Sequence, residues 1–415
     1  MASWFETGTP VWQWLLLGNY ILVIVLSVVI LLKNRNPAKT LAYLFALATL
    51  PFLGLLVYYF FGMDWRKDKI FGKKYLEDND KLREWREGFR PEAADSSAFW
   101  NNKSPWVAKV HHLLERNQRS VLTFENEVLV LSNGEEKFDR LREDLRRAQS
   151  HIHLEYFVVE DDRTGTSILE ILCERAREGV KVRLVYDGVG STISREMKQK
   201  LDAAGVEHYA FMPVFFSRFT SKFNFRNHRK IVVIDGTTAY VGGINIRDSY
   251  DNGLDNDRYW RDTHLRIEGA AAGSLQADFL LSWHFVSGQE PDAMGPLFPE
   301  SPPASSGPVA IQVASSGPDS DWANIMYAIF TAVNNARDYV YLSTPYMIPN
   351  ASMLTALKTA ARSGVDVRVL IPYRSDSWVA QYATDSYIEG LLEAGVRIFR
   401  YTRGFMHAKT MVVDG

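Results

Sequence analysis

The sequence predicts an α/β fold: two pseudo-symmetric α/β/α repeats, each a mixed sheet flanked by helices, preceded by a two-helix transmembrane hairpin. Three observations lead there. Two long uncharged stretches stand near the start, one order of helix and strand signals runs through the chain twice, and a short motif of His, Lys and Asp closes each round.

The hairpin comes first. Val11 to Leu32 and Thr40 to Phe61 each run 22 residues without a charge, where about 20 cover the hydrocarbon core of a bilayer. Trp12, Trp14, Tyr58 and Tyr59 sit where interfacial aromatics belong. The first stretch lacks the basic leader and small-residue cleavage site of a secretory signal, and a second apolar stretch follows at once. Residues 1–62 are therefore read as a hairpin with spans 11–32 and 40–61. Lys33, Arg35 and Lys39 lie between the spans, whereas Arg66, Lys67, Lys69, Lys73 and Lys74 follow them. The larger group after the hairpin places both of its ends, and the rest of the chain, on the cytoplasmic side. Residues 63–118 read as a connecting segment.

Beyond the hairpin, 415 residues that are 47% apolar and 13% aromatic supply core for two modest domains, which excludes a disordered or fibrous chain. The formal net charge of -2 leaves attraction to phosphate to a local patch. One such patch runs from His208 to Ile234: no acid, but Arg218, Lys222, Arg226, Arg229 and Lys230, interleaved with phenylalanines. The lone Cys173 lies in an apolar helical pattern, which excludes a disulfide framework and fits a buried thiol.

The repeat is the strongest signal. Phe138, Leu141, Leu145 and Ala148 fall at helical spacing and lead into the strand HIHLEYFVV. A second helix over Ile168 to Arg177 stops at Gly179, before the strand VKVRLVYD. The order returns with Trp322, Ile325, Ile329 and Val333, the strand YVYLSTPY, a helix over Met353 to Arg362, a stop at Gly364, and VDVRVLIP. CERAREGVKVRLV and LKTAARSGVDVRVL nearly superimpose. The first repeat is assigned to residues 119–286, a Pro/Gly/Ser-rich linker to 287–308, and the second repeat to 309–415.

Each repeat reaches His-x-Lys-x4-Asp: His228, Lys230 and Asp235 in NHRKIVVIDG, and His407, Lys409 and Asp414 in MHAKTMVVDG, the histidines 179 positions apart. His and Lys two apart on an extended chain point to one face. Across a pseudo-two-fold axis, two His and two Lys in one pocket suit a phosphodiester. Lys230 and Lys409 neutralise the phosphate and stabilise the pentacoordinate state; one histidine attacks phosphorus while neutral; its twin, protonated, hands a proton to the leaving alcohol. Asp235 and Asp414 are expected to orient or charge-tune the histidines. Gly242, Gly243 and Asn245 follow the first motif, where backbone N–H groups and an amide could meet an anion, which adds Gly243 and Asn245 to the phosphate-binding set. His151 and His153 share a spacing that some zinc sites use, but no third ligand accompanies them, so they are read as packing. The chemistry requires no metal and no cofactor.

These residues, with YFVVEDDRTG, GGINIRDSY, YWRDTHLRIEG and STPYMIPN, resemble the phospholipase D superfamily and, within it, the bacterial cardiolipin synthases. The resemblance runs from the hairpin to Gly415. It implies a multi-pass protein of the bacterial inner membrane that acts on membrane phospholipids, with phosphatidylglycerol as both donor and acceptor. Phosphatidyl transfer through a covalent phosphohistidine then yields cardiolipin and glycerol. It also implies His228 as nucleophile and His407 as acid/base, and draws in Glu155, Arg261 and Asp262, whose residue types fit substrate contact and packing beside the site equally. Nucleic acid is not an expected partner. Two alternatives stay open: a phospholipase D-type hydrolase with water as acceptor, and an inactive fragment. The second motif lacks the Gly-rich turn and Asn that follow the first, so the second repeat is read as incomplete and the sequence as a fragment.

Overall fold

A computed structural model of the chain describes residues 11–32, 37–50, 52–61, 105–118, 120–212, 226–289, 295–299, 309–317 and 322–415. Its N-terminal helices and its α/β body are separate units.

In the N-terminal unit, α1 (Val11–Leu32) is an apolar helix long enough to cross a bilayer. The expected second span is not one helix. It is divided into α2 (Pro37–Thr49) and α3 (Leu53–Phe61). Pro51 falls between them, and a proline inside a helix removes one hydrogen-bond donor and collides with the carbonyl four residues back. Phe52 follows with φ of 61°, in the left-handed region that ends helices. The chain then reverses: a Cβ on Gly54 would lie 2.3 Å from the Ala46 carbonyl oxygen, and the Tyr43 and Tyr58 rings meet edge to face at 5.7 Å. Ile30 of α1, Leu47 of α2 and Tyr58 of α3 close a small common core.

The α/β body begins, among described residues, with α4 (Pro105–Gln118) and β1 (Leu122–Ser132). The first repeat continues through α5 (Asn133–Arg147), β2 (His151–Tyr156), α6 (Arg163–Arg177), β3 (Lys181–Asp187), α7 (Arg195–Ala204) and β4 (Glu207–Phe211). After residues 213–225, which lie outside the described set along with much of the basic patch, come β5 (Lys230–Ile234), β6 (Thr238–Gly242), β7 (Trp260–Arg261), β8 (Thr263–Glu268) and α8 (Ala271–Ser287). Their sheet has the order β4-β3-β2-β5-β6-β8-β1-β9, parallel from β4 to β2 and antiparallel thereafter. Its last strand, β9 (Val309–Gln312), was assigned by the sequence reading to the second repeat. It pairs instead with β1, because a short edge strand goes to whichever partner offers open N–H and C=O groups.

Strand alternation builds the three layers. Val232 and Ile234 face Phe138, Leu141, Ile168 and Leu172 from α5 and α6, while Ile231 and Val233 face Ala271 and Leu275 of α8. Cys173 is buried in the first of these cores.

The second repeat comprises α9 (Asn324–Asn335), β10 (Tyr339–Ser343), α10 (Ala351–Arg362), β11 (Asp366–Pro372), α11 (Trp378–Glu393), β12 (Arg397–Tyr401), β13 (Phe405–Met406) and β14 (Thr410–Val413). The order β12-β11-β10-β14 copies β4-β3-β2-β5 in direction and connection. Gly179 and Gly364, the stop signals read from sequence, have φ of 93° and 95°.

The motif aspartates depart from expectation. Asp235 follows β5 with φ of 52°, and Asp414 follows β14 with φ of 54°. The Asp235 carboxylate accepts the backbone N–H groups of Gln149, Ser150 and His151 at 2.8–3.0 Å. Asp414 accepts those of Arg337, Asp338 and Tyr339 at 2.9–3.0 Å. Neither bonds a histidine of its own motif. Each ties the end of the motif strand to the loop entering β2 or β10, whose first N–H groups would otherwise lack partners. Asp235→Ala is therefore expected to destabilise the first repeat by about 2 kcal/mol, and Asp235→Asn, which keeps one acceptor oxygen, by less. Denaturant unfolding of the detergent-solubilised chain measures both.

Candidate active site

Both His-Lys pairs lie where a loop delivers the chain into a strand beside the C-terminal ends of parallel strands. His228 precedes β5 and Lys230 opens it; His407 and Lys409 precede β14. In each pair the ammonium turns back on its own motif. Lys230 Nζ donates to the His228 carbonyl oxygen at 2.7 Å and lies 3.3 Å from His228 Nδ1. Lys409 Nζ donates to the His407 carbonyl oxygen at 2.6 Å and lies 2.9 Å from His407 Nε2. The side chains converge on a single point, as the sequence predicts, but the pairs sit at the strand mouths.

Two contacts join the half-sites. β13 pairs with β7 in parallel, and the His407 N–H donates to the Arg261 carbonyl at 2.7 Å. Beside that pairing, His407 Nδ1 lies 2.7 Å from Asp262 Oδ2, so a first-repeat carboxylate holds a second-repeat imidazole. With Nδ1–H donating to Asp262, Nε2 faces Lys409. Trp260, Tyr250 and Phe405 surround the His407 ring at 5.6–5.7 Å, and Phe157 packs against His228 at 4.5 Å. Among the described residues no carboxylate bonds the His228 ring.

Burial sets the electrostatics. Desolvation, followed by the charges of Lys230, Lys409 and His407, pushes His228 down to about 3, so its imidazole is uncharged at neutral pH. Burial also lowers His407, but the Asp262 hydrogen bond opposes it. Lys230 falls to about 7 through burial and then Lys409, and Lys409 to about 8 through burial, with Asp262 and Asp376 opposing. Charge from the second motif thus reaches the first: Lys409 lowers His228 and Lys230, and Lys230 lowers His407.

The remaining sequence-predicted residues divide. Asn245 makes two structural hydrogen bonds, its Oδ1 accepting from the Val158 N–H and its Nδ2 donating to Tyr250 Oη. The Gly243 N–H goes to the Thr263 carbonyl, and a Cβ there would lie 2.1 Å from Asp262 Oδ1, so glycine makes room for the orienting carboxylate. Glu155 is buried, accepts from Ser282 Oγ at 2.7 Å and from the Asn227 amide, and so anchors the segment that presents His228. Arg261 donates to the Asp262 carbonyl oxygen and to Thr263 Oγ1. From the basic patch, Arg226 and Arg229 turn to Asp187 and Glu155. His151 and His153 are core: His153 stacks on Phe279 and pairs with Gln276, and burial lowers both. The role of Asp262 escaped the sequence reading, since its partner lies 145 positions away.

A duplicated α/β unit with two His-Lys pairs facing one space defines the phospholipase D-like class. The family described as "Cardiolipin synthase, PLD-like domain" matches residues 141–264 and 329–415, and "Phospholipase_D-nuclease N-terminal" matches 21–62. The chain is 40% identical to a cardiolipin synthase of Geobacillus sp. (strain WCH70), over 100% of this chain and 83% of that one. It is 37% identical to the major cardiolipin synthase ClsA of Bacillus subtilis (strain 168), over 95% and 82%. In fold it is similar to phosphatidylserine synthase of Haemophilus influenzae, with a TM-score of 0.53 and 14% identity over 74% of this chain and 80% of that one. The chain belongs to the cardiolipin synthase family of phospholipase D-like enzymes.

The lowered lysines predict a proton signature. A bound phosphodiester anion favours the protonated ammonium and so raises both pKa values from about 7 and about 8 towards the usual lysine range. Between those limits the complex holds more protons than the empty site, so binding takes protons up and affinity falls as pH rises. Calorimetric titration with glycerophosphoglycerol at pH 8.5, in two buffers of different ionisation enthalpy, is expected to show net uptake.

Proposed function

We propose that this chain joins two phosphatidylglycerol molecules into cardiolipin and glycerol, through a phosphohistidine on His228. The observation that carries the reading is the division of labour between two imidazoles beside one space. His228, desolvated among three neighbouring cationic or titratable groups, is held neutral, while His407 has in Asp262 a carboxylate partner able to support an imidazolium.

A ring nitrogen of His228 attacks phosphorus and forms the N–P bond as the P–O bond to the departing glycerol breaks. His407 gives that oxygen its proton, and Asp262 stabilises the imidazolium beforehand. The headgroup hydroxyl of a second phosphatidylglycerol then loses its proton to His407 and attacks phosphorus, breaking the N–P bond and restoring both histidines. Lys230 and Lys409 compensate the extra charge of both pentacoordinate states. Membrane anchoring favours the lipid hydroxyl over water by confining the enzyme to a surface dense in acceptor. Trp260, Tyr250, Phe405 and Phe157 wall the histidines with apolar surface.

Phosphatidylglycerol liposomes carrying headgroup-labelled glycerol are expected to yield cardiolipin and free glycerol in equal amounts. Phosphatidic acid as the sole lipid product would replace transfer by hydrolysis. His228→Ala is expected to abolish any acid-labile phosphoenzyme and to lower turnover by roughly 10⁴-fold or more; an adduct that survives in this variant would move the nucleophile elsewhere.

A further inference from the structure

We propose that residues 37–61 form a re-entrant hairpin whose apolar outer face meets the acyl chains of the bilayer. On this topology α1 alone spans the bilayer among the described helices, and the chain after Phe61 emerges on the Leu32 side. The inference concerns the membrane unit by itself and does not depend on the reaction.

α2 and α3 do not stack into one kinked span. Tyr43 and Tyr58 would lie about 22 Å apart along a continuous helix, yet their ring centroids are 5.7 Å apart. Gly54 packs directly on the Ala46 carbonyl. The two helices run antiparallel, side by side.

The depth of the tip is also set. Phe52, at the turn, donates its N–H to Asn19 Oδ1 of α1 at 3.1 Å, and its ring meets Trp12 at 5.8 Å. Asn19 lies 13 positions before Leu32, and α2 has 13 residues, so α2 climbs alongside α1 to the level of Asn19. A helix break in hydrocarbon requires a protein partner for the backbone groups it frees. Asn19, a polar residue buried at 4% exposure inside an otherwise apolar helix, supplies one. The outward residues Leu41, Phe45, Leu53 and Leu56 remain 52–70% exposed, which gives the hairpin a lipid-facing surface.

Charge fits the same topology. In a two-span hairpin Lys33, Arg35 and Lys39 oppose Arg66, Lys67, Lys69, Lys73 and Lys74 across the bilayer. In the re-entrant arrangement all eight share one side, and residues 1–10 contribute no Lys or Arg to the other. The conflict with the positive-inside rule disappears. The Leu32 end of α1 and the Phe61 end of α3 then face the cytoplasm, and the Val11 end faces outside.

Single cysteines placed in a Cys173→Ala background test this with a membrane-impermeant maleimide on cells whose cytoplasmic membrane is intact and accessible. Ser3→Cys is expected to label at once, and Asn34→Cys and Gly62→Cys only after permeabilisation. Ser3 and Gly62 labelling together, opposite Asn34, would restore the two-span hairpin and overturn the proposal. Equal behaviour of all three positions would overturn it as well, by removing the span of α1.

Discussion

The hydrogen bond between His407 Nδ1 and Asp262 Oδ2 at 2.7 Å ties the second motif of the duplicated α/β unit to the first repeat. Everything around it serves that distance. The parallel pairing of Phe405 with Trp260 and of Met406 with Arg261 carries His407 to the first repeat, and the His407 N–H is locked to the Arg261 carbonyl. Gly404 can approach because a Cβ there would strike the Tyr259 carbonyl oxygen at 2.1 Å, and Gly243 because a Cβ would strike the carboxylate itself. Both glycines are explained by close approach, and both approaches bear on one imidazole.

The surrounding electrostatics follow from burying four basic groups together. Lys409 depresses His228 and Lys230, Lys230 depresses His407, and desolvation depresses all four, which leaves an empty site with less positive charge than its residues would carry in water. Asp262 is the counterweight: it raises His407, Lys230 and Lys409. One carboxylate therefore holds the His407 ring and offsets the effect of burial at His407 and at both lysines.

Much of this was legible in the sequence because duplication repeats its own signals. Helix spacing, Gly-Val stops and two His-x-Lys-x4-Asp motifs predicted the two similar sheets, and in each motif the lysine ammonium lies beside its own histidine. What stayed hidden depended on contacts far along the chain. Asp235 and Asp414 stand five residues after their lysines, and nothing local reveals that their carboxylates cap backbone N–H groups some 80 positions upstream. Asn245 looked like an anion ligand because its residue type suits one, whereas the Val158 N–H and Tyr250 claim it. Apolar composition over 40–61 does not show that the described helices end at Thr49 and resume at Leu53.

The role of Asp262 is most directly tested by comparing two leaving groups in Asp262→Asn. Expelling glycerol requires a proton from His407, whereas a p-nitrophenolate leaves without one. Transfer from phosphatidylglycerol is predicted to fall by roughly 10²- to 10⁴-fold, and transfer from a phosphatidyl p-nitrophenyl ester to fall far less. An equal loss with both substrates would contradict the assignment of Asp262 and His407 as the acid that serves the leaving alcohol.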